Sequence, residues 1–229
     1  MRMIKICSYN IKNNFLRHID KTNKIIDFIN KYDLDILGVQ EYIFRDSRKF
    51  NLEGYKCIGI GRYKKKNNVF NETCAIITKY SITSHKVHKL PWFFTTFRRI
   101  INEATLVDKD NNKYVIMNTH IDFLHNYSKK IQLKYILKHI RRIHNNNSNI
   151  IIMGDFNLNT NNKILNNFIN ELNTLNISRV NISDRTYKTL DKPIDHIFIS
   201  NNLKVNKVKI IKEKKYDISD HYPIYVELE

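Results

Sequence analysis

Glycine is scarce in this chain, and its spacing argues against two large classes of nucleotide-binding enzyme. Only five of the 229 residues are glycine. The closest pair, Gly59 and Gly61, is followed by Lys64 where a dinucleotide-binding loop needs its third glycine. A phosphate-binding loop of the GxxxxGKS/T kind is also absent. The sequence therefore disfavours dinucleotide-dependent oxidoreductases and P-loop nucleotide hydrolases.

Cysteines and long apolar runs are also few. Cys7, Cys57 and Cys74 are an odd number without a CxxC pair, which disfavours a disulfide framework or a zinc ribbon and favours a reducing, intracellular setting. No run approaches the roughly 18 apolar residues of a transmembrane helix. The segment Met1–Cys7 is too short and too alternating for a signal peptide. We therefore expect no membrane span and a cytoplasmic location.

Basic residues outnumber acidic ones, which gives the chain a formal net charge of +17. Such a charge suggests a polyanionic partner, with nucleic acid first. However, the chain also holds 31 Asn, 36 Ile and 28 Lys residues. All three amino acids have A/T-rich codons, so a biased genome could supply much of the lysine. Charge alone leaves both explanations open.

The hydrophobic pattern predicts an α/β protein. The predicted strands are Ile4–Ser8, Ile36–Gln40, Lys56–Ile60, Cys74–Thr78, Ala104–Val107, Tyr114–Asn118, Ile150–Met153, His196–Ser200, Val205–Ile211 and Ile224–Leu228, and the predicted helices are Ile19–Tyr32, Tyr127–His144 and Asn162–Leu175. Because strands often follow one another directly, two stacked sheets flanked by helices fit this order best. The Asn-rich stretches 145–147 and 159–162 and the basic stretch 64–68 indicate turns or exposed loops rather than linkers. We therefore expect one domain spanning residues 1–229.

Polar residues recur where the apolar strands end, which is where a scaffold presents functional groups. The groups are Asn10, Gln40-Glu41, Asn118-Thr119-His120-Ile121-Asp122, Gly154-Asp155-Phe156-Asn157, Ile194-Asp195-His196 and Ser219-Asp220-His221. Each group alone has an ordinary explanation, such as a solvated charge, a turn or a structural histidine. Chance placement of all of them at successive strand ends is a poor explanation, so the set indicates an active site.

The residue types in this set indicate metal-assisted hydrolysis of an anionic ester. The hard oxygen donors of Glu41, Asp220 and Asn10 suit Mg²⁺ or Mn²⁺, and the lack of thiolates disfavours zinc. Carboxylate, imidazole and amide groups beside such an ion can orient water and hold phosphoryl oxygens. The chain has no Gly-x-Ser-x-Gly elbow, and no cysteine lies near a histidine of the set, so a covalent acyl route is disfavoured.

The ordered set resembles the endonuclease/exonuclease/phosphatase superfamily, which includes proteins similar to deoxyribonuclease I. The resemblance runs from Asn10 to His221, nearly the whole chain. It implies a four-layer α/β/β/α sandwich of two mixed, largely antiparallel sheets, with the active site at one end of the sheets. It also implies a phosphoric ester hydrolase that depends on Mg²⁺ or Mn²⁺.

The resemblance also implies a role for each matching position. Catalytic roles fall on His120, Asp155, Asn157, Asp195, His221 and Glu72; metal contacts fall on Glu41, Asn10 and Asp220; and substrate contacts fall on Asn10, Arg99 and Lys129. Glu72 is similar to a glutamate that orients the first histidine, and Asp195 to the aspartate that pairs with the last. Lys129 stands where an arginine is usual, and a lysine does not replace the bidentate contact of a guanidinium.

The substrate is open at this point, with a nucleic-acid phosphodiester first because of the charge. Asn118-Thr119-His120 stands where abasic-site endonucleases carry a Tyr…Pro-Asn segment, which makes base-excision repair a poorer fit. One alternative is a phosphomonoesterase acting on a small sugar- or inositol-phosphate. Another is a non-catalytic module that binds phosphate or nucleic acid. We expect a monomer that takes a phosphate ester as its partner.

Overall fold

The computed structural model of the chain describes residues 3–14, 16–63, 68–92, 95, 97–144 and 149–229. Its strands are β1 (Ile4–Asn10), β2 (Ile36–Ile43), β3 (Lys56–Ile58), β4 (Glu72–Thr78), β5 (Ser81–Lys89), β6 (Ile100–Val107), β7 (Lys113–His120), β8 (Asn149–Asp155), β9 (Ile177–Arg179), β10 (Asp195–Ser200), β11 (Val205–Ile210) and β12 (Ile224–Leu228). Its α-helices are α1 (Thr22–Tyr32), α2 (Phe44–Ser47), α3 (Asn126–Ile143) and α4 (Lys163–Asn173), and a 3-10 turn covers Lys214–Tyr216. Of the predicted loops 64–68 and 145–147, residues 64–67 and 145–147 lie outside the described residues.

The strands form two mixed sheets of six strands each. The first has the order β11-β12-β1-β2-β4-β3, and the second has the order β5-β6-β7-β8-β10-β9. Each sheet holds one parallel pair, β1 with β2 and β7 with β8, and its other neighbours run antiparallel. Helices α1 and α3 follow the first strand of each parallel pair, as a parallel crossover requires.

Three apolar clusters stack these elements into four layers. Between the sheets, Ile6 of β1 belongs to the same cluster as Ile116 and Met153 of the second sheet. On the outer face of the first sheet, α1 buries Phe28 and Ile29. On the outer face of the second sheet, α3 and α4 share a cluster with β8. Full burial of one large apolar side chain contributes about 1.5–3 kcal/mol, so these layers hold the sheets together. The predicted α/β/β/α sandwich is confirmed.

Two glycines allow close backbone approaches at one end of the sandwich. A Cβ on Gly38 of β2 would lie 2.5 Å from the Met153 sulfur of the facing sheet. Gly154 has φ +149, and a Cβ there would lie 1.9 Å from the Thr119 carbonyl oxygen. Both positions favour glycine on steric grounds. Gly154 and Asp155 pair with Thr119 and His120 of β7, so this segment is the end of strand β8 rather than a simple turn.

The structure adds elements that the hydrophobic pattern missed. Strand β5 was not predicted because Ser81–Lys89 lies at a sheet edge and contains no fully buried residue. The short elements α2 and β9 carry too few residues for a periodic signal. The predicted helix Ile19–Tyr32 begins at Thr22, and the predicted strand Lys56–Ile60 ends at Ile58. None of the helices in the described residues has the length and apolar character needed to cross a membrane.

Candidate active site

The carboxyl ends of the two parallel strand pairs bring the predicted polar residues together. In the first sheet Asn10 lies opposite Gln40, next to Glu41. In the second sheet Asp155 lies beside both His120 and Asp195. Strand register alone therefore places residues that are far apart in the sequence at one edge of the sandwich.

Asp155 is the centre of the hydrogen-bond network. Its Oδ2 accepts a hydrogen bond from the Asn10 amide nitrogen at 2.9 Å, and its Oδ1 accepts one from the Asn157 backbone N–H at 2.9 Å. His120 Nε2 and His221 Nε2 lie 3.5 Å and 3.7 Å from the same Oδ2. Burial, together with the nearby Asp195 charge, raises the pKa of Asp155 to about 7. A carboxyl group with that pKa can accept a proton near neutral pH.

His221 is held as a cation by Asp195. Asp195 Oδ2 lies 2.8 Å from His221 Nδ1. Burial alone would lower the pKa of His221, but the charges of Asp195 and Asp155 outweigh it and raise that pKa to about 10. His221 therefore carries a positive charge at neutral pH and points its other nitrogen toward Asp155.

His120 is in the opposite protonation state. The Arg99 Nη1 donates to His120 Nδ1 at 3.0 Å, so this nitrogen acts as an acceptor. Burial and the charges of Arg99 and Arg62 hold the pKa of His120 well below its usual range. The neutral imidazole then carries its proton on Nε2, on the side of Asp155. Environments that shift the pKa values of two histidines in opposite directions are typical of catalytic sites.

Two carboxylates complete the acidic side of the site. Glu41 adopts the left-handed backbone region with φ 56, and its Oε2 accepts from the Asn13 backbone N–H at 2.8 Å. The Asp220 carboxylate pairs with the Lys12 ammonium, and this contact helps to lower the pKa of Asp220 although burial opposes it. Both carboxylates are partly exposed, with 20% of the Glu41 and 23% of the Asp220 side chain accessible. They thus offer hard oxygen donors to an ion entering from solvent.

A cavity of about 370 Å³ lies over these groups. Its lining includes both predicted histidines and four carboxylates, namely Glu41, Glu72, Asp155 and Asp220. It also includes a set of larger side chains, namely Phe97, Phe123, Tyr187, Leu190 and Ile194. The charged part of the lining is mixed, since Lys12, Arg62 and Arg99 face four carboxylates. The large excess of lysine in the chain is therefore not concentrated in the described lining of the cavity.

Three predicted residues are placed differently from the expectation. The Asn10 side-chain oxygen accepts from the Lys12 backbone N–H, and its nitrogen donates to the carboxylates of Glu41 and Asp155. Asn10 therefore positions two carboxylates, and its contact with a metal stays a prediction. Lys129 is buried and donates to the Asn157 carbonyl at 3.1 Å, outside the cavity lining. Lys129 therefore supports the loop that carries Asn157.

Glu72 differs most from its expected role. Its carboxylate pairs with Arg62 Nη1 at 2.9 Å and accepts from the Asn13 amide at 2.9 Å. Burial raises the pKa of Glu72 to about 7 despite the arginine. The described hydrogen bond to His120 Nδ1 comes from Arg99, and the expected orientation of His120 by Glu72 stays a prediction.

Sequence reasoning missed Arg62, Lys12 and Tyr187. Arg62 is buried against Glu72 and the Phe97 ring, and it follows Gly61 in a segment without a recognisable motif. Tyr187 packs its ring 4.8 Å from the His221 ring. These residues lie on loops, where neither periodicity nor a strand end marks them.

Comparison with known protein families identifies one family that matches nearly the whole chain. The family model described as "Endonuclease/Exonuclease/phosphatase family" matches residues 7–221. The chain belongs to this family. Its membership confirms the predicted resemblance and the predicted enzyme class, a phosphoric ester hydrolase. The family generally depends on a divalent metal ion.

Solved structures of endonuclease/exonuclease/phosphatase proteins share the fold at low identity. A family protein from Bacteroides thetaiotaomicron superposes with a TM-score of 0.82 at 19% identity, covering 99% of this chain and 95% of that one. The mannosyl-6-phosphatase Bt3783 of the same organism gives 0.79 at 19% identity, with 99% of both chains covered. D. rerio TDP2 complexed with a single-strand DNA product gives 0.77 at 17% identity, with 99% of both chains covered. A comparison with curated protein sequences finds no significant match.

Proposed function

We propose that this protein hydrolyses a phosphodiester by metal-assisted, in-line attack of water, with nucleic acid as the first substrate class. One observation carries the proposal: the Asp155 carboxylate lies between a neutral and a positively charged histidine, and Asn10 holds the same oxygen. An acceptor for the proton of water is thus placed next to two N–H groups that can turn to phosphoryl oxygens. A non-catalytic binding module would not need such opposed protonation states.

Each group then has a distinct task. Asp155 takes the proton as the water oxygen bonds to phosphorus and the ester oxygen leaves, while Asn10 keeps the carboxylate in place. The Nε2–H groups of His120 and His221 donate to the phosphoryl oxygens. Asn157 fixes the cavity edge, since its side chain donates to the Ile121 carbonyl at 3.2 Å.

The residues present fit a hard divalent cation. Glu41 and Asp220 both line the cavity and present partly exposed carboxylates, and no cysteine lines it in the described residues. We propose that these two residues hold Mg²⁺, or Mn²⁺ in its place. When bound, such an ion neutralises charge on the phosphoryl group. Lys12 already supplies one positive charge at Asp220.

Removing the metal should abolish turnover. We expect loss of hydrolysis in excess chelator and its return with either Mg²⁺ or Mn²⁺, measured on DNA, RNA and small phosphate esters in parallel. Glu41→Gln removes one ligand charge and should weaken metal affinity and lower kcat together. Glu53→Gln, an exposed turn residue, is the matched control and should change neither. Undiminished hydrolysis in excess chelator would disprove the metal requirement.

An exposed ring in the cavity lining and a second exposed ring that contacts an arginine favour a nucleic acid. Phe123 lines the cavity and is 45% exposed, and Trp92 is 49% exposed with the Arg98 guanidinium 5.0 Å from its ring. Exposed rings and arginine planes are suited to stacking on bases. The structural neighbour TDP2 is complexed with a single-strand DNA product, which agrees with this choice of substrate.

A phosphomonoester is the second candidate, because two buried arginines face the site. Arg62 Nη2 and Arg99 Nε are buried and have no hydrogen-bond acceptor among the described residues. Two such donors suit the extra charge of a terminal phosphate. The neighbour Bt3783 is a mannosyl-6-phosphatase. Hydrolysis of monoesters without cleavage of DNA or RNA in the same screen would establish this candidate in place of the first.

Salt dependence should separate the two candidates. A protein that binds nucleic acid contacts several phosphates beyond the reacting one. The logarithm of its affinity for duplex DNA should therefore fall with the logarithm of the salt concentration, at a slope of about −0.9 per phosphate contact. The protein for this measurement carries Asp155→Ala. The double change Arg98→Ala and Lys130→Ala then tests a cation that lies over the Trp92 ring together with an exposed lysine at the start of α3. Lys64, Lys65 and Lys66 were also predicted contacts and lie outside the described residues. A flat salt response would favour the small phosphomonoester and leave codon bias as the cause of the charge.

Three further expectations stay predictions: that residues 1–229 form one domain, that the chain is a monomer, and that it works in the cytoplasm.

A further inference from the structure

Two histidines and a glutamate converge on the outer face of the second sheet, away from the cavity. His88 belongs to the edge strand β5, Glu103 to the neighbouring strand β6, and His139 to helix α3, which covers this face. His139 follows Lys129 by ten residues on α3, which corresponds to about 15 Å along the helix. The proposed hydrolytic mechanism uses none of the three residues.

The three side chains point their ligand atoms at one place. The Nε2 of His139 contacts Glu103 Oε2, and the Nε2 of His88 lies 3.3 Å from the same oxygen. The two imidazole rings are 4.1 Å apart between centroids, and all three ligand atoms lie within 4.8 Å of one another. Around a tetrahedral Zn²⁺ with bonds of about 2.0–2.1 Å, neighbouring ligand atoms are about 3.3 Å apart. Small side-chain adjustments would therefore produce the required geometry.

One nitrogen in the cluster has no hydrogen bond to the protein. His88 Nε2 is buried, and its approach to Glu103 lacks hydrogen-bond geometry. An unpartnered buried nitrogen is costly unless something else pairs with it. An imidazole nitrogen without a hydrogen-bond partner is available to a metal ion.

We propose that His88, Glu103 and His139 form a second metal site that binds Zn²⁺ or a similar transition-metal ion. Two imidazoles and one carboxylate suit such an ion, whereas the oxygen donors at the cavity suit Mg²⁺. His88 and His139 remain 19% and 14% exposed, which leaves a path for the ion and room for water as the fourth ligand. Lys86, the cross-strand partner of Glu103, carries a positive charge that would repel the metal ion. The Lys86 side chain is exposed to solvent, which screens this repulsion.

The site would tie the edge of the sheet to its covering helix. Strand β5 has one neighbour, β6, and no fully buried residue, so it is weakly held. A metal bound by β5, β6 and α3 stabilises only the folded chain. At a free Zn²⁺ concentration of 100 times Kd, the Tm should rise by about 5–10 °C.

Zinc binding to a chain that lacks the two proposed Mg²⁺ ligands is the first part of the test. The background carries Glu41→Gln and Asp220→Asn, and Zn²⁺ is titrated by calorimetry, with Co²⁺ as a spectroscopic probe of tetrahedral coordination. We expect one equivalent of Zn²⁺, an intense visible Co²⁺ spectrum and the rise in Tm. Failure to bind one equivalent, or an octahedral Co²⁺ spectrum, would overturn the proposal.

Ligand variants provide the second part of the test. His88→Ala and His139→Ala should each weaken Zn²⁺ binding by more than the roughly 10–100-fold that changes outside the ligand shell cost. Glu103→Gln keeps the size of the side chain and should have the same effect, so it serves if an alanine variant fails to fold. His85→Ala is the matched control, because His85 is on the same strand but contacts Asn102 instead. Equal Zn²⁺ affinity in the ligand variants and the control would disprove the site.

Discussion

Replacing Asp155 with asparagine should lower kcat by about 10²–10⁴, the range in which a positioned general base contributes. The variant has the same shape but can no longer take a proton from water. Its new amide group would also face the Asn10 amide nitrogen, which now donates to Asp155 Oδ2. We therefore expect kcat to fall while the circular dichroism spectrum and the cooperative thermal transition are retained.

Asp110→Asn is the matched control for this substitution. Asp110 lies in an exposed turn after β6, and the same loss of charge there should leave kcat unchanged. Comparing the two variants on one substrate separates the loss of the base from the general loss of one carboxylate. An Asp155→Asn enzyme with more than a tenth of the original kcat would disprove the proposed role.

The candidate site residues that could be predicted from the sequence are those at the ends of buried strands. Asp155 and His120 each end a buried apolar strand, and such strands have a strong local pattern. That these ends meet follows from the parallel pairing of β7 with β8, which local pattern does not specify. The fold class was accessible for the same reason, but strand order and the edge strand β5 were not.

The contacts that set the chemistry were largely inaccessible from the sequence. Lys12 pairs with Asp220 across 208 positions, and Arg62 pairs with Glu72, which lies ten positions later in the sequence. Nothing in either local sequence marks the partner. The expected orientation of His120 by Glu72 stays a prediction; in the structure Glu72 pairs with Arg62, and Arg99 donates to His120. Long-range pairing of side chains depends on how the folded chain packs in three dimensions. The strand-end motifs, in contrast, are recognisable from the local sequence pattern that forms each strand.

The Asp195–His221 pair should give the second large effect. His221→Gln removes a charged donor to the phosphoryl group, and loss of one such donor typically costs about 10²–10³ in kcat. Asp195 lies 2.8 Å from His221 Nδ1 and acts through it, so Asp195→Asn should also lower kcat. The matched control is Asp191→Asn, an exposed position in the segment before β10.

A pH profile distinguishes this positioning role of Asp195 from a merely structural one. Because Asp195 and Asp155 raise the pKa of His221 to about 10, the imidazolium persists through neutral pH and is lost only as pH rises past that value. Asp195→Asn removes one of the two charges, so the alkaline fall in kcat should move to lower pH. The double variant Asp195→Asn/His221→Gln should lose about as much kcat as His221→Gln alone, since the effects of residues that act as a unit are not additive. Additive losses, or an unchanged alkaline limb in Asp195→Asn, would show that Asp195 does not work through His221.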